Sequence, residues 1–199
     1  MKKMKKMEQK LVDITFDLLY KNGYCDTNIA DILKIAKATK GALYYHFTSK
    51  HELVVSAITY YLEQILEHHW VNPLANTTTP IDTLVEQVEA YIEMFLDPES
   101  FLDIKHGCPL SNFILDMSDK DETFFEYFKS VYTRWHASIE QVLEKAQEQK
   151  QTHTQFNANE QSMFILSSLE GSIGSAKALN DVEAVKNSVA ILITHIKSL

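Results

Sequence analysis

Between Thr39 and His46 the chain reads TKGALYYH, placing a hydroxyl, an ammonium, two phenols and an imidazole within eight residues. Wound at about 3.6 residues per turn, Thr39, Lys40, Gly41, Tyr44, Tyr45 and His46 occupy the outward face of a short helix with little bulk at its front end. Such groups hydrogen-bond to phosphates and base edges, which is what a helix entering a major groove end-on requires. Leu43 and Phe47, spaced i, i+4, form the inward face, and Thr39 supplies a hydroxyl N-cap. A second element must hold this helix. Ile29, Ile32, Leu33 and Ala36 line one side of a preceding helix at i, i+3, i+4, i+7, with a break at Lys37 and Ala38. Two short helices joined by a tight turn over about residues 28–47 make a helix-turn-helix. The same spacing would serve any antiparallel helix pair, so periodicity alone leaves both readings open.

The wording of the stretch goes further. KGALYYHFTSKHEL, preceded by an amphipathic helix ending in NGY and by TNIADI, closely resembles the TetR/AcrR family of transcriptional regulators over roughly the first 65 residues. The resemblance implies an all-α fold of about nine helices. A three-helix DNA-binding domain would span residues 1–65, and a larger helical ligand-binding and dimerisation domain residues 66–199. It also implies repression relieved by a small molecule. Thr27 and Asn28 cap the second helix, where the family touches a phosphate. Thr27, Tyr45 and Lys50 are assigned chiefly to phosphates, Thr39, Lys40, Gly41 and Tyr44 to the groove, and His46 to its rim. Two departures stand out. Most members have glycine in the turn where this chain has Lys37, and the chain's only arginine is Arg134, so the commonest bidentate guanine contact is absent from the motif. Base reading then falls to Lys40, threonine and tyrosine, and thymine methyls and DNA shape gain weight.

Composition agrees with an ordinary globular protein, 45% hydrophobic and 23% charged, with only five Gly and four Pro to interrupt helices. The net charge of −8 is unevenly spread: residues 1–50 hold ten lysines against five acids, while the rest of the chain holds nine basic and 22 acidic residues. That is a basic nucleic-acid module on an acidic body. MKKMKKM lacks the apolar run of a signal peptide, no stretch approaches a membrane span, and Cys25 and Cys108 form no zinc or disulfide pattern, so the cytoplasm is the expected compartment.

Met1 to Met7 is expected to be an arm that contacts phosphate or merely solubilises. Helices are expected at about 8–21, 49–69, 84–95, 109–117, 121–149, 157–179 and 181–199, with PLANTTTP (73–80) a loop. The fourth begins with a Ser49–Glu52 capping box and links the motif to the body. Tyr61, Trp70, Tyr91, Phe95, Phe113, Met117, Phe128, Tyr132, Trp135 and Phe164, on different helices, could enclose an apolar effector, although aromatic stripes more often make plain core. Gly171, Gly174 and Ser175 put small residues in mid-helix, and Val185, Val189, Leu192 and Ile196 repeat at 4, 3, 4. Both are expected at a four-helix homodimer interface, as in the family. The adjacent His68 and His69 diverge on a helix, and no catalytic or metal motif is present, so no enzyme, cofactor or metal is expected. The alternative is a DNA-binding regulator or architectural protein without an inducer, controlled by a partner protein or by thiol oxidation.

Overall fold

A computed structural model describes residues 4–199, and every regular element among them is helical. The order is α1 (Lys6–Asp26), α2 (Ile29–Ala36), α3 (Lys40–His46), α4 (Lys50–Leu66), a π-helical turn (Glu67–Val71), α5 (Asn72–Ala75), α6 (Pro80–Leu96), α7 (Pro109–Met117), α8 (Glu122–Glu148), α9 (Ala158–Leu179) and α10 (Val182–Ser198). The helix starts are chemically legible: Asn28, Thr39, Ser49, Asp121, Asn157 and Asp181 each turn a side-chain oxygen onto a free backbone N–H of the first turn. Pro80 and Pro109 occupy first helical positions, where no N–H is needed.

Four local features differ from expectation, and α6 starts at Pro80 rather than near 84. The expected arm lies partly outside the described residues, and from Lys6 onward it is helix, because the Glu8 carboxylate accepts the Lys5 N–H at 3.1 Å and closes the first turn. Gly23, at φ 81°, kinks α1 without ending it. Glu52 bonds the Thr48 N–H at 2.6 Å rather than the Ser49 N–H. Asn72–Ala75, expected to be loop, forms the single turn α5, because Pro73 can sit in a first turn.

The buried residues form one connected core running from Leu11 to Leu199. Within the N-terminal module α1 packs on α2, α3 and α4, with Leu11, Ile32 and Leu43 fully enclosed. The module also docks on the body. Phe16 stacks on Tyr61 with ring centroids 4.0 Å apart and meets Phe113 edge-on at 5.9 Å, and the Tyr24 N–H donates to Asp116 at 2.7 Å. The Tyr20 hydroxyl donates to the Gly107 carbonyl at 2.7 Å, and burial pushes this phenol's pKa up. In the body α8 spans the molecule against α6 and α9, and α10 lies on α9 and α6.

Candidate nucleic-acid interface and aromatic core

The turn between α2 and α3 is closed by the backbone at Lys37. Lys37 takes the left-handed conformation, φ 52° and ψ 45°, and Ala38 N–H returns to the Leu33 carbonyl at 3.0 Å. This is the double hydrogen-bonded helix stop usually given to glycine, here made by a lysine. Leu43 and Phe47 then anchor α3 on the core.

On the opposite side Thr39, Lys40, Gly41, Tyr44 and Tyr45 are exposed, Tyr45 by 71%. A Cβ added at Gly41 would meet nothing nearer than Thr39 Oγ1 at 3.8 Å. The fold therefore does not demand glycine there, and what it keeps is a bare front end. Asn28 is exposed while capping α2. Lys5, which the motif did not single out, reaches this face: its Nζ donates to Tyr45 Oη at 3.2 Å and lies 5.0 Å from the ring centre. The expected lysine-rich arm was the signal that could have named it.

Three residues sit otherwise than expected. Thr27 is 1% exposed, and its hydroxyl donates to the Gly23 carbonyl at 2.8 Å, so the side chain closes the α1 kink instead of facing a phosphate. His46 turns toward α1, 3.9 Å from the Glu8 carboxylate, with little side-chain exposure. Lys50 donates to the Tyr24 carbonyl at 3.0 Å and lies over the Tyr24 ring, tying α4 to α1.

The expected effector residues split into groups. Trp70, Tyr91, Phe95 and Trp135 pack together with ring centroids 5.0 to 5.4 Å apart, three of the four ring contacts edge-on. Phe113 and Phe128 form a second cluster with Phe16 and Phe124, and Met117 is buried. Tyr61 belongs to the α1 junction, where it donates to Asp13 at 2.9 Å, and Tyr132 is half-buried. Phe164 is 51% exposed on the outer side of α9 against His195, because its helical position points away from α8. Around Trp70, Tyr91, Cys108 and Trp135 the residual cavity is about 20 Å³, room for a single water. The larger hollow of about 1050 Å³ is an open, charged groove between α1 and α4.

Polar groups in this core are incompletely paired. Trp70 Nε1, Trp135 Nε1 and Glu170 Oε1 have no hydrogen-bond partner. Glu170 is partly exposed as a residue, but its Oε1 is enclosed, and its carboxyl takes a hydrogen bond from Ser111 and lies beside the Cys108 thiol. Burial pushes the pKa of Glu170 up, and that of Cys108 as well. Tyr91 Oη lies 3.4 Å from Cys108 Sγ, which joins this polar cluster to the aromatic one.

The α9–α10 surface also departs from expectation. Val185, Val189, Leu192 and Ile196 are at most 5% exposed, because α10 spends this seam on α6 and α9 of its own chain. Gly171, Gly174 and Ser175 are exposed, and a Cβ at either glycine would meet nothing within 4 Å. Met163 and Ile191, exposed by 42% and 73%, lie on the same two helices.

Residues 11–57 match the model described as bacterial regulatory proteins, tetR family, and residues 84–192 match the one described as Tetracyclin repressor-like, C-terminal domain. An uncharacterised HTH-type transcriptional regulator in the lacX 3′ region of Lactococcus lactis is 28% identical over 70% of this chain and 69% of that protein. The HTH-type transcriptional regulator QacR of Staphylococcus aureus is 28% identical over 62% of this chain, which spans 57% of QacR. In fold the chain is similar to the crystal structure of a TetR transcriptional regulator from Chloroflexus aurantiacus, with a TM-score of 0.84 at 22% identity, covering 96% of this chain and 94% of that one.

Proposed function

The chain belongs to the tetR family of bacterial regulatory proteins and is a DNA-binding transcriptional regulator, and from that premise we propose that it is a repressor, acting as a homodimer on a pseudo-palindromic operator and released by a small, largely apolar ligand. Its place of action is the cytoplasm. The observation that carries the DNA reading is the outward face of α3, where Thr39, Lys40 and Tyr44 stand exposed at the basic end of an acidic chain. In this reading Lys40, Thr39, Gly41 and Tyr44 meet base edges. Tyr45 with Lys5, the α2 N-terminus at Asn28 and, after release from Tyr24, Lys50 meet phosphates.

The dimer reading rests on Gly171 and Gly174. Mid-helix glycine costs about 1 kcal/mol against alanine, and nothing in the monomer approaches closely enough to require it. A second copy of α9 packed against this stripe supplies the missing reason. Two α3 helices would then enter major grooves about 34 to 36 Å apart.

Three orphaned polar groups in the aromatic core support the effector reading. Each costs on the order of 1–3 kcal/mol while unpaired, and a ligand that pairs them recovers that cost. One observation favours control by a partner protein instead, namely that the core is filled to about 20 Å³. Burial keeps the Cys108 thiol protonated and unreactive, which weighs against oxidation there. Gel shifts at physiological salt with DNA from upstream of its own and neighbouring genes are the test. Retardation of one specific fragment is expected, and equal retardation of all fragments would sink the operator reading.

A further inference from the structure

Glu170 is out of place in an apolar effector core. It projects from α9, one hydrogen bond from Ser111 on α7, and its Oε1 meets no partner. Its immediate polar neighbours are Ser111 and Cys108, neither of them a cation. Two cations of the body are committed elsewhere: Arg134 holds Glu63 at 2.9 Å and also binds Glu67, while Lys177 donates to Asn112 at 3.0 Å. An enclosed carboxyl without a counter-charge is a costly thing to retain.

Glu170 is not itself part of the cavity wall, and Cys108 stands between the two. Tyr91 and Cys108 form part of the cavity wall, and Cys108 sits beside the Glu170 carboxyl. Trp70 and Trp135 also line the cavity, and the face of an indole carries the negative quadrupole that attracts a cation. Trp70 is delivered by the π-helical turn at Glu67–Val71, a single under-wound turn of the kind that can tighten to α geometry and shift its side chains.

We propose that Glu170, together with the rings of Trp70, Tyr91 and Trp135, forms a binding site for an organic amine, with its ammonium group on Glu170 and its apolar body among the rings, in a core that opens to admit it. This rests on the reading of the body as an effector domain, and narrows the effector from apolar to amphipathic and cationic. An anionic ligand would meet Glu170 with no cation to offset it, and a neutral donor could pair the free oxygen but would bring it no counter-charge.

The chain's two tryptophans both line the cavity, so intrinsic fluorescence reads this site directly. Phenylbutylamine, phenylbutanol and phenylbutyrate share one body and differ in the end group. Titrated into the full-length protein at neutral pH, the amine is expected to bind at least about tenfold more tightly than the other two, as one hydrogen bond to a charged group warrants. E170Q should erase that preference, and a thermal melt checks that the variant is folded. The proposal is overturned if the alcohol or the carboxylate matches the amine, if E170Q keeps the preference, or if none of the three binds at millimolar concentration. Mobility of an operator duplex selected in vitro separates the two readings. Amine binding that leaves the duplex bound would uphold the site and sink the effector reading, and release by the alcohol but not the amine would do the reverse.

Discussion

The two ends of the molecule hold their hydrogen-bonding capacity in opposite ways. On α3 the donors and acceptors of Thr39, Lys40 and Tyr44 are out in water, where an unmade bond costs nothing, and the backbone that carries them is pinned by Leu43 and Phe47. In the body the unmade bonds of Trp70, Trp135 and Glu170 are enclosed, where each is a standing cost. A surface of the first kind is ready for its partner as it stands. A core of the second kind must move before it can receive one.

The sharpest way to break this contrast is by truncation. Trp70→Ala should cost about 3–5 kcal/mol of stability in a denaturant melt, since the ring is 1% exposed in a filled core. Tyr44→Ala, at a position 52% exposed, should stay within about 0.5 kcal/mol while weakening operator binding. If the two melts shifted alike, the distinction would fail. Next in size, Lys40→Ala should cost about 1–3 kcal/mol in operator affinity if the ammonium reads a guanine, with relaxed preference at one base pair. A uniform loss across all sequences would assign Lys40 to a phosphate instead.

Glu170→Gln probes the buried side of the contrast through pH. A carboxyl held above its usual value near 4.5 binds its proton more tightly in the folded chain. Its contribution to stability is therefore complete below that value and is lost as pH rises through the raised folded pKa. Glutamine carries no such dependence, so the variant should melt higher at neutral pH, with the gain shrinking as the pH falls toward 4.5. A gain independent of pH would show that the carboxyl is not titrating there. The smallest effect concerns the exposed side. Lys37→Gly should raise the melting temperature by the equivalent of a few tenths to about 1 kcal/mol, relieving a left-handed lysine at φ 52°. A fall would mean that the turn is unstrained.

Helix starts were readable from the chain because a cap is a local bond. Asn157 and Asp181 need only the N–H groups two or three residues ahead of them. What periodicity could not supply is the identity of the surface a stripe meets. Val185, Val189, Leu192 and Ile196 were correctly spaced for burial, yet α6 and α9 of the same chain bury them. Thr27, His46 and Lys50 illustrate the same limit at the DNA end, where Gly23, Glu8 and Tyr24 engage side chains whose types suit a phosphate. Phe164 is an aromatic at helical spacing that simply faces out. Glu170 was not singled out at all, since a lone glutamate in a helix reads as surface until its neighbours are known.

The single arginine has a mechanical consequence. Arg134 on α8 grips Glu63 and Glu67, fixing the far end of α4, while the near end begins at the Ser49 cap beside α3. At about 1.5 Å per residue the 17 residues of α4 make an arm of about 25 Å. A tilt of about 5° about the arginine end would carry the near end through about 2 Å, and in the proposed dimer two copies turning together would change their separation by about 4 Å against a groove repeat of about 34 Å. In the proposed dimer a fulcrum at one residue would thus convert a displacement no larger than a bond length or two at Trp70 into a misfit along the double helix.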